Sequence, residues 1–242
     1  MRAETRHQLK QDRFSKVTLE AAENAAHWSE EHKAKLIAAV IAVVVLAAVG
    51  FGGWYYVNTQ DEKASLEFSA AVRTFETPIR PAGVPAQPGY DTFASFQERA
   101  GAAHKQFQDI VDKYPHTHTG EMARYFVGLA SSQLGDNAAA ERNLQEAAGA
   151  SGRDLASLAK FALAGVYRAE NKTQPAVDLY RQLIDHPTTV VSKATTQLEL
   201  AGFYETQQKP DEAKKIYDQV AKENPSTEAA SLAQRRSAAL KP

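Results

Sequence analysis

The side chains best suited to chemistry in this chain are two histidines two positions apart, His116 and His118. Imidazole is a common zinc ligand, and residues at this spacing can reach one ion only from a strand or a loop. Both histidines follow Pro115 at a predicted turn, and Asp112 and Glu121 are conceivable further ligands at unremarkable spacing. A solvated turn is the favoured interpretation, so the sequence predicts no metal site.

Other catalytic patterns are missing from the sequence. The chain has no cysteine, no glycine-rich phosphate loop and no strand–serine–helix elbow motif. Its acidic residues have the spacing of solvated helix faces, and the formal net charge of the 242 residues is −1. We therefore predict that the protein is not an enzyme and has no cofactor, no small-molecule substrate and no nucleic-acid partner.

An internal repeat dominates the rest of the sequence. Four alanines recur with gaps of 37, 36 and 37 residues, and each begins a helical stripe that continues four and seven residues later. The four stripes are Ala103/Phe107/Ile110, Ala140/Leu144/Ala147, Ala176/Tyr180/Leu183 and Ala213/Tyr217/Val220. A small residue allows close helix approach and the larger ones fill the adjoining space, so a stack of helices is predicted.

Each stripe has a partner helix before it. A small residue stands 12 positions ahead of three of the alanines, at Gly128, Ala164 and Ala201. Turn residues separate the two helices, and prolines end the second helix of a unit. The turns are residues 135–137, 171–172 and 208–210, and the prolines are Pro115, Pro187 and Pro225.

This order of small residue, aromatic residue, alanine, aromatic residue and closing proline resembles the tetratricopeptide repeat, over roughly residues 91–237. The usual early tryptophan is missing from every unit. The resemblance implies an all-α helical solenoid that binds other proteins along its concave face.

The resemblance also implies which residues face a partner, because the first helices of the repeats line the groove in this family. The predicted partner-binding groove consists of Tyr125, Leu129, Ser132, Phe161, Arg168, Leu198 and Glu205, with Gly165 and Gly202 between them. We expect it to be largely apolar and to suit extended hydrophobic polypeptide. The alternative is that Tyr125 and Phe161 are inter-repeat core. The basic and amide residues that clamp a peptide carboxylate in some members are replaced by Phe126, Ala162 and Glu199.

A second feature is an apolar run, residues 36–57, of 22 residues without a charge. At about 1.5 Å per residue it reaches ~33 Å, enough to cross a bilayer core. Trp54, Tyr55 and Tyr56 end it with an aromatic belt. A buried core helix and a cleaved signal peptide are the less favoured alternatives. Two pairs of small residues four apart could pack on another membrane helix, although chance explains them about as well: Ala38 with Ala42, and Ala48 with Gly52.

Flanking charge predicts the orientation of this span. Residues 1–35 carry seven Lys or Arg, whereas residues 58–77 carry two. The positive-inside rule then places the N-terminus in the cytoplasm and the repeats outside, which in a bacterium is the periplasmic side of the inner membrane.

The predicted domains are a cytoplasmic tail at 1–35, a transmembrane helix at 36–57, a juxtamembrane helix with a proline-rich loop at 58–91, and a repeat domain with a C-terminal capping helix at 92–242. Within the third, Leu66, Ala70 and Phe75 are expected to pack on the first repeat. Residues 77–90 hold four prolines and are either a long connection within that repeat or a recognition segment for a partner.

The whole layout resembles the YfgM-type ancillary subunits of the bacterial Sec translocon, best at the charged segment before the span and the polar helix after it. That resemblance implies inner-membrane lipid, the SecYEG channel and a membrane-anchored periplasmic chaperone as partners. It implies a scaffold or chaperone-like role for exported proteins. The alternative is an envelope scaffold that coordinates cell-wall synthesis or outer-membrane assembly.

Overall fold

The structure is a computed structural model that describes residues 32–240, so most of the predicted cytoplasmic tail lies outside it. The chain forms two compact units, Met1–Tyr56 and Val57–Pro242, which are described separately. Within the described residues there are nine helices and no strands. They are α1 Lys33–Glu76, α2 Phe96–Lys113, α3 His118–Gln133, α4 Asn137–Ala148, α5 Arg153–Ala169, α6 Thr173–Asp185, α7 Lys193–Thr206, α8 Pro210–Glu223 and α9 Glu228–Ala239. The fold is all-α, as the sequence predicted.

Of the first unit, the structure describes the apolar part of α1. The most apolar 18-residue window of this helix has a mean hydropathy of 2.7, and 0% of it is buried inside the chain. Large side chains such as Leu46 (71% exposed) and Val49 (69%) point into open space. A surface this apolar is costly to leave in water, so α1 is a candidate membrane-spanning helix.

The second unit begins with the far end of α1, which supplies the first helix of the first repeat. Ala64 and Ala71 are fully buried, and Phe68 and Phe75 of the same helix pack against the core that contains them. The predicted packing face was partly wrong, since Leu66 and Ala70 are exposed. Ala64, Phe68 and Ala71 have the same i, i+4, i+7 spacing as the stripes of the other repeats, and this places Leu66 outside the buried face of the helix.

The predicted stripes form the core of the repeats. All twelve stripe residues are between 0 and 3% exposed. Gly128 shows why the facing position must be small: a Cβ there would lie 2.6 Å from Leu144 Cγ. Close contact between the two helices of a repeat therefore depends on the absence of a side chain at this residue.

The turn inside each repeat is built in the same way three times. Gly135, Asn171 and Gln208 have positive φ angles of 80°, 57° and 55°. In each case the residue after the positive-φ position donates its N–H to the carbonyl five residues before itself, at 2.8–3.0 Å: Asp136 to Ser131, Lys172 to Tyr167, and Lys209 to Tyr204. This is a left-handed helix C-cap, and it reverses the chain so that the second helix folds back on the first.

Helix starts are fixed by polar caps at five sites, where a side chain accepts from the N–H three residues later: Ser95, Thr117, Asp136, Ser192 and Thr227. The last of these begins α9, the predicted closing helix, which buries Ala230, Ala233 and Ser237 against the final repeat.

The proline-rich segment connects α1 to α2. Its two arms pair through a parallel bridge between Ile79 and Phe93, and Arg80 N donates to Phe93 O at 2.9 Å. The Arg80 guanidinium donates to Thr92 O at 3.2 Å. The connection is thus an organised loop at the side of the first repeat.

Candidate partner-binding face

The predicted groove residues lie on α3, α5 and α7, the first helices of the second, third and fourth repeats. α3 contacts α5, and α7 contacts the closing helix α9. In the same register, Tyr125 precedes Leu129 and Ser132 on α3, just as Phe161 precedes Arg168 on α5 and Leu198 precedes Glu205 on α7. All seven side chains are half-buried, so each combines contact with the chain and access from outside.

The two aromatic residues sit at the margin of the core. Tyr125 and Phe161 both pack against the cluster that contains Leu144, Leu163 and Tyr180. Phe161 meets the Tyr180 ring edge to face, with centroids 6.2 Å apart. Burial raises the pKa of Tyr125 above its ordinary value, which keeps the phenol neutral. These rings therefore brace neighbouring repeats while leaving part of each ring accessible.

Arg168 is held in place by three groups. Its Nη1 donates to Glu199 Oε2 at 2.7 Å and lies 3.4 Å from the Tyr180 hydroxyl. Its guanidinium also covers the Phe203 ring at 5.5 Å from the centroid. Such a fixed guanidinium loses little side-chain entropy when it binds a further acceptor. Glu199 is one of the three residues expected to replace a carboxylate clamp, and here it neutralises Arg168.

Four predicted groove residues come together at one cavity of about 330 Å³: Arg168, Leu198, Gly202 and Glu205. Tyr217 and two α9 residues, Leu232 and Arg236, complete it with Glu199 and Thr206. A second cavity of about 430 Å³ between α5 and α7 includes Gly165, Arg168 and Phe203. The structure thus joins the third and fourth units into one surface with the closing helix.

The chemistry of the first cavity differs from the expected apolar groove. Two arginines and two glutamates line it, and Arg236 approaches Glu205 at 3.8 Å. Tyr217 donates its hydroxyl to Glu205, and burial together with this acceptor raises the pKa of the phenol. Sequence reasoning missed Arg236 here and noted Glu199 only as the replacement of a clamp residue, because their contribution depends on how α7 and α9 pack. The alternating charges suit a polypeptide with polar groups as well as apolar ones.

The other predicted sites are placed as follows. His118 lies 3.9 Å from Glu121, and residues 32–240 hold no group of three metal-ligating side chains. Phe126, which was expected to replace a clamp residue, stacks on Phe107 with ring centroids 4.8 Å apart and therefore belongs to the core. The small residues Ala38, Ala42, Ala48 and Gly52 lie on the exposed part of α1, and a Cβ on Gly52 would meet nothing within 4 Å.

Comparisons with known proteins agree with this geometry. The family model described as a tetratricopeptide repeat-like domain matches residues 26–241, and the chain belongs to that family. Among solved structures, the putative kinesin light chain TPR-like repeats of Podosopora anserina superpose with a TM-score of 0.55 at 15% identity, covering 74% of this chain and 85% of that one. This likeness concerns the fold. No curated protein sequence matches at a significant level.

The class of protein follows from the family and the fold. It is a tetratricopeptide-type scaffold for protein–protein interaction, a fold that is generally non-enzymatic.

Proposed function

We propose that this protein is a membrane-anchored interaction scaffold that assists exported proteins at the bacterial inner membrane. The N-terminus lies in the cytoplasm, α1 crosses the membrane, and the repeats work in the periplasm beside the translocon or within its chaperone network. Partners are then SecYEG, a periplasmic chaperone and membrane lipid. The charge asymmetry around the span and the resemblance to translocon ancillary subunits support this role.

One observation carries the proposal. A single helix, Lys33–Glu76, contains the apolar segment at one end and, at the other, the alanines and phenylalanines that build the first repeat. The matched family model likewise runs from residue 26, before the span, to residue 241. The presence of the apolar segment and of repeat core residues on one helix supports a role that depends on membrane attachment.

We assign partner contact to the predicted groove: Tyr125, Leu129, Ser132, Phe161, Arg168, Leu198 and Glu205. Exposed aromatic edges on α3 and α5 supply apolar contact, and the charged cavity beside α9 supplies polar contact. An unfolded exported chain presents both kinds of group. In the membrane, the small residues Ala38, Ala42, Ala48 and Gly52 form the proposed packing face for a channel helix.

Site-specific photo-crosslinking in intact cells tests this function. A photo-reactive amino acid is placed at Tyr125, Phe161 or Ala48, with Lys215 on α8 and Val43 on the opposite side of α1 as matched exposed controls. Adducts with newly exported proteins or a chaperone at the groove, and with channel subunits at Ala48, are the expected result. Adducts with cell-wall or outer-membrane assembly proteins would instead establish the alternative envelope role. Equal adducts at the control positions would overturn the assigned surfaces.

A further inference from the structure

A separate basic cleft lies between the two helices of the third repeat. It has a volume of about 410 Å³ and is lined by Arg153, Ala156, Ser157, Lys160, Gln182, Leu183, His186 and Thr188. Two of these side chains carry permanent positive charge, one is an imidazole, and none is a carboxylate. None of them belongs to the partner-binding face. The cleft thus offers an unusual concentration of donors.

In the second repeat, an ion pair occupies the place that corresponds to this cleft. Lys160 stands four residues before Ala164, as Arg124 stands four residues before Gly128. Gln182 likewise corresponds to Glu146. In the second repeat Arg124 and Glu146 form an ion pair that joins α3 to α4. In the third repeat an uncharged glutamine replaces the glutamate, and within the described residues Lys160 has no ion-pair partner.

The fourth repeat also has an ion pair that the third repeat lacks. There Lys193 pairs with Glu223 at 2.9 Å, again joining the two helices of the unit. Glu223 stands ten residues after Ala213, and the residue ten after Ala176 is His186. The third repeat therefore lacks both the carboxylate that the second repeat has at Glu146 and the one that the fourth repeat has at Glu223. Its cations are left to meet an external anion.

The wall of the cleft is held rigid by a small network. Ser157 Oγ donates to Asp154 O at 2.8 Å and lies 2.9 Å from Thr188 Oγ1, which accepts from Val191 N at 3.1 Å. Arg153 Nη2 lies 3.5 Å from Pro187 O. These bonds tie the loop after α6 to the start of α5. The hydroxyl protons are used within the wall, so a bound anion meets Arg153, Lys160, Gln182 and His186.

We propose that this cleft binds a phosphate group. The four donor side chains can supply more hydrogen bonds than the two oxygens of one carboxylate can accept, whereas a phosphate offers at least three acceptor oxygens and up to two charges. A guanidinium and an ammonium together match that charge. The volume leaves room for a substituent, so the phosphate can be free or part of a larger molecule such as a lipid headgroup.

Calorimetric titration of the full chain with inorganic phosphate, in phosphatidylcholine nanodiscs, tests the site. Saturable binding is expected, and Lys160→Gln should weaken it about tenfold, the value of one charge-assisted hydrogen bond at a partly exposed site. Gln182→Glu should weaken it as much, because it restores the internal ion pair of the second repeat while removing no cation. Circular dichroism checks that both variants remain folded.

Two exposed residues of α2 give matched controls, Lys105→Gln and Gln106→Glu. These should retain the native affinity. Absence of saturable binding by the native chain, full binding by Gln182→Glu, or equal loss in the controls would each overturn the proposal. Repeating the titration with phosphatidylglycerol in the nanodiscs then distinguishes the source. Weaker phosphate binding identifies the lipid headgroup as a competitor, and unchanged binding assigns the site to soluble phosphates.

Discussion

At the scale of single residues, the turns of the repeats contain strain that a substitution can relieve. Gln208 has a φ of 55°, a left-handed conformation that costs a residue with a side chain roughly 1 kcal/mol. Gly135 occupies the same place in the second repeat, where φ is 80°. We expect Gln208→Gly to raise the free energy of unfolding by about 0.5–1 kcal/mol. Gly135→Gln should lower it by a similar amount.

Urea unfolding followed by circular dichroism measures both changes. If Gln208→Gly destabilises the protein, the left-handed cap does not control this turn. The sequence signalled these turns through Gly135, Asn171 and Gln208-Lys209-Pro210, but it could not show that all three share one conformation. A glycine in a turn indicates a positive φ, whereas a glutamine does not. At Gln208 the left-handed cap is identified only by the hydrogen bond from Lys209 N to Tyr204 O.

At the scale of helices, substitution by alanine is expected to have opposite effects at two glycines, Gly128 and Gly165. A Cβ on Gly128 would lie 2.6 Å from Leu144 Cγ, and Leu144 is fully buried and cannot withdraw. Gly128→Ala should therefore destabilise the protein by about 1–3 kcal/mol. Gly165, on the next first helix, has no atom within 4 Å of that position. Gly165→Ala should stabilise by about 0.5–1 kcal/mol through helix propensity.

The midpoint and slope of chemical unfolding for both variants check this pair. Stabilisation by Gly128→Ala would contradict the close approach of α3 and α4. Destabilisation by Gly165→Ala would contradict the open space around this residue.

The helices themselves were largely predictable, since stripe spacing fixes which side of a helix is buried. The stripe beginning at Ala103 continues to Phe107 and Ile110, and all three are buried as expected. The far end of α1 was harder, because Leu66 is strongly apolar and yet is 75% exposed. Burial of the small Ala64 and Ala71 depends on how close α2 and α3 lie, which the local sequence does not state. Because helix packing cannot be derived from the local sequence, Arg236 and Glu199 were also left out of the predicted groove.

At the scale of the whole molecule, the structure predicts where an independently folding fragment begins. Phe68 and Phe75 of α1 pack against Phe107 and Phe126, with ring centroids 4.8–6.2 Å apart within this cluster. Asp61 Oδ1 also accepts from Thr119 N at 2.8 Å, at the start of α3. A fragment starting at residue 58 should unfold cooperatively. One starting at residue 92 should lose stability and bind a hydrophobic dye.

Calorimetry of the two fragments, with dye binding measured in parallel, makes the comparison. Equal melting temperatures would show that α1 is dispensable for the repeats and would favour a boundary near residue 92. A lower melting temperature for the shorter fragment would place the first repeat's helix at the far end of α1.

The central claim concerns the molecule in its membrane: an anchored scaffold with its repeats outside the cytoplasm. The absence of cysteine from the chain allows a direct measurement. Ser151→Cys lies in the exposed turn before α5, and Ser15→Cys lies in the N-terminal tail. With a membrane-impermeant maleimide, Ser151→Cys should react in intact spheroplasts and Ser15→Cys only after lysis. Labelling of Ser15→Cys alone, or of neither residue until lysis, would contradict the account.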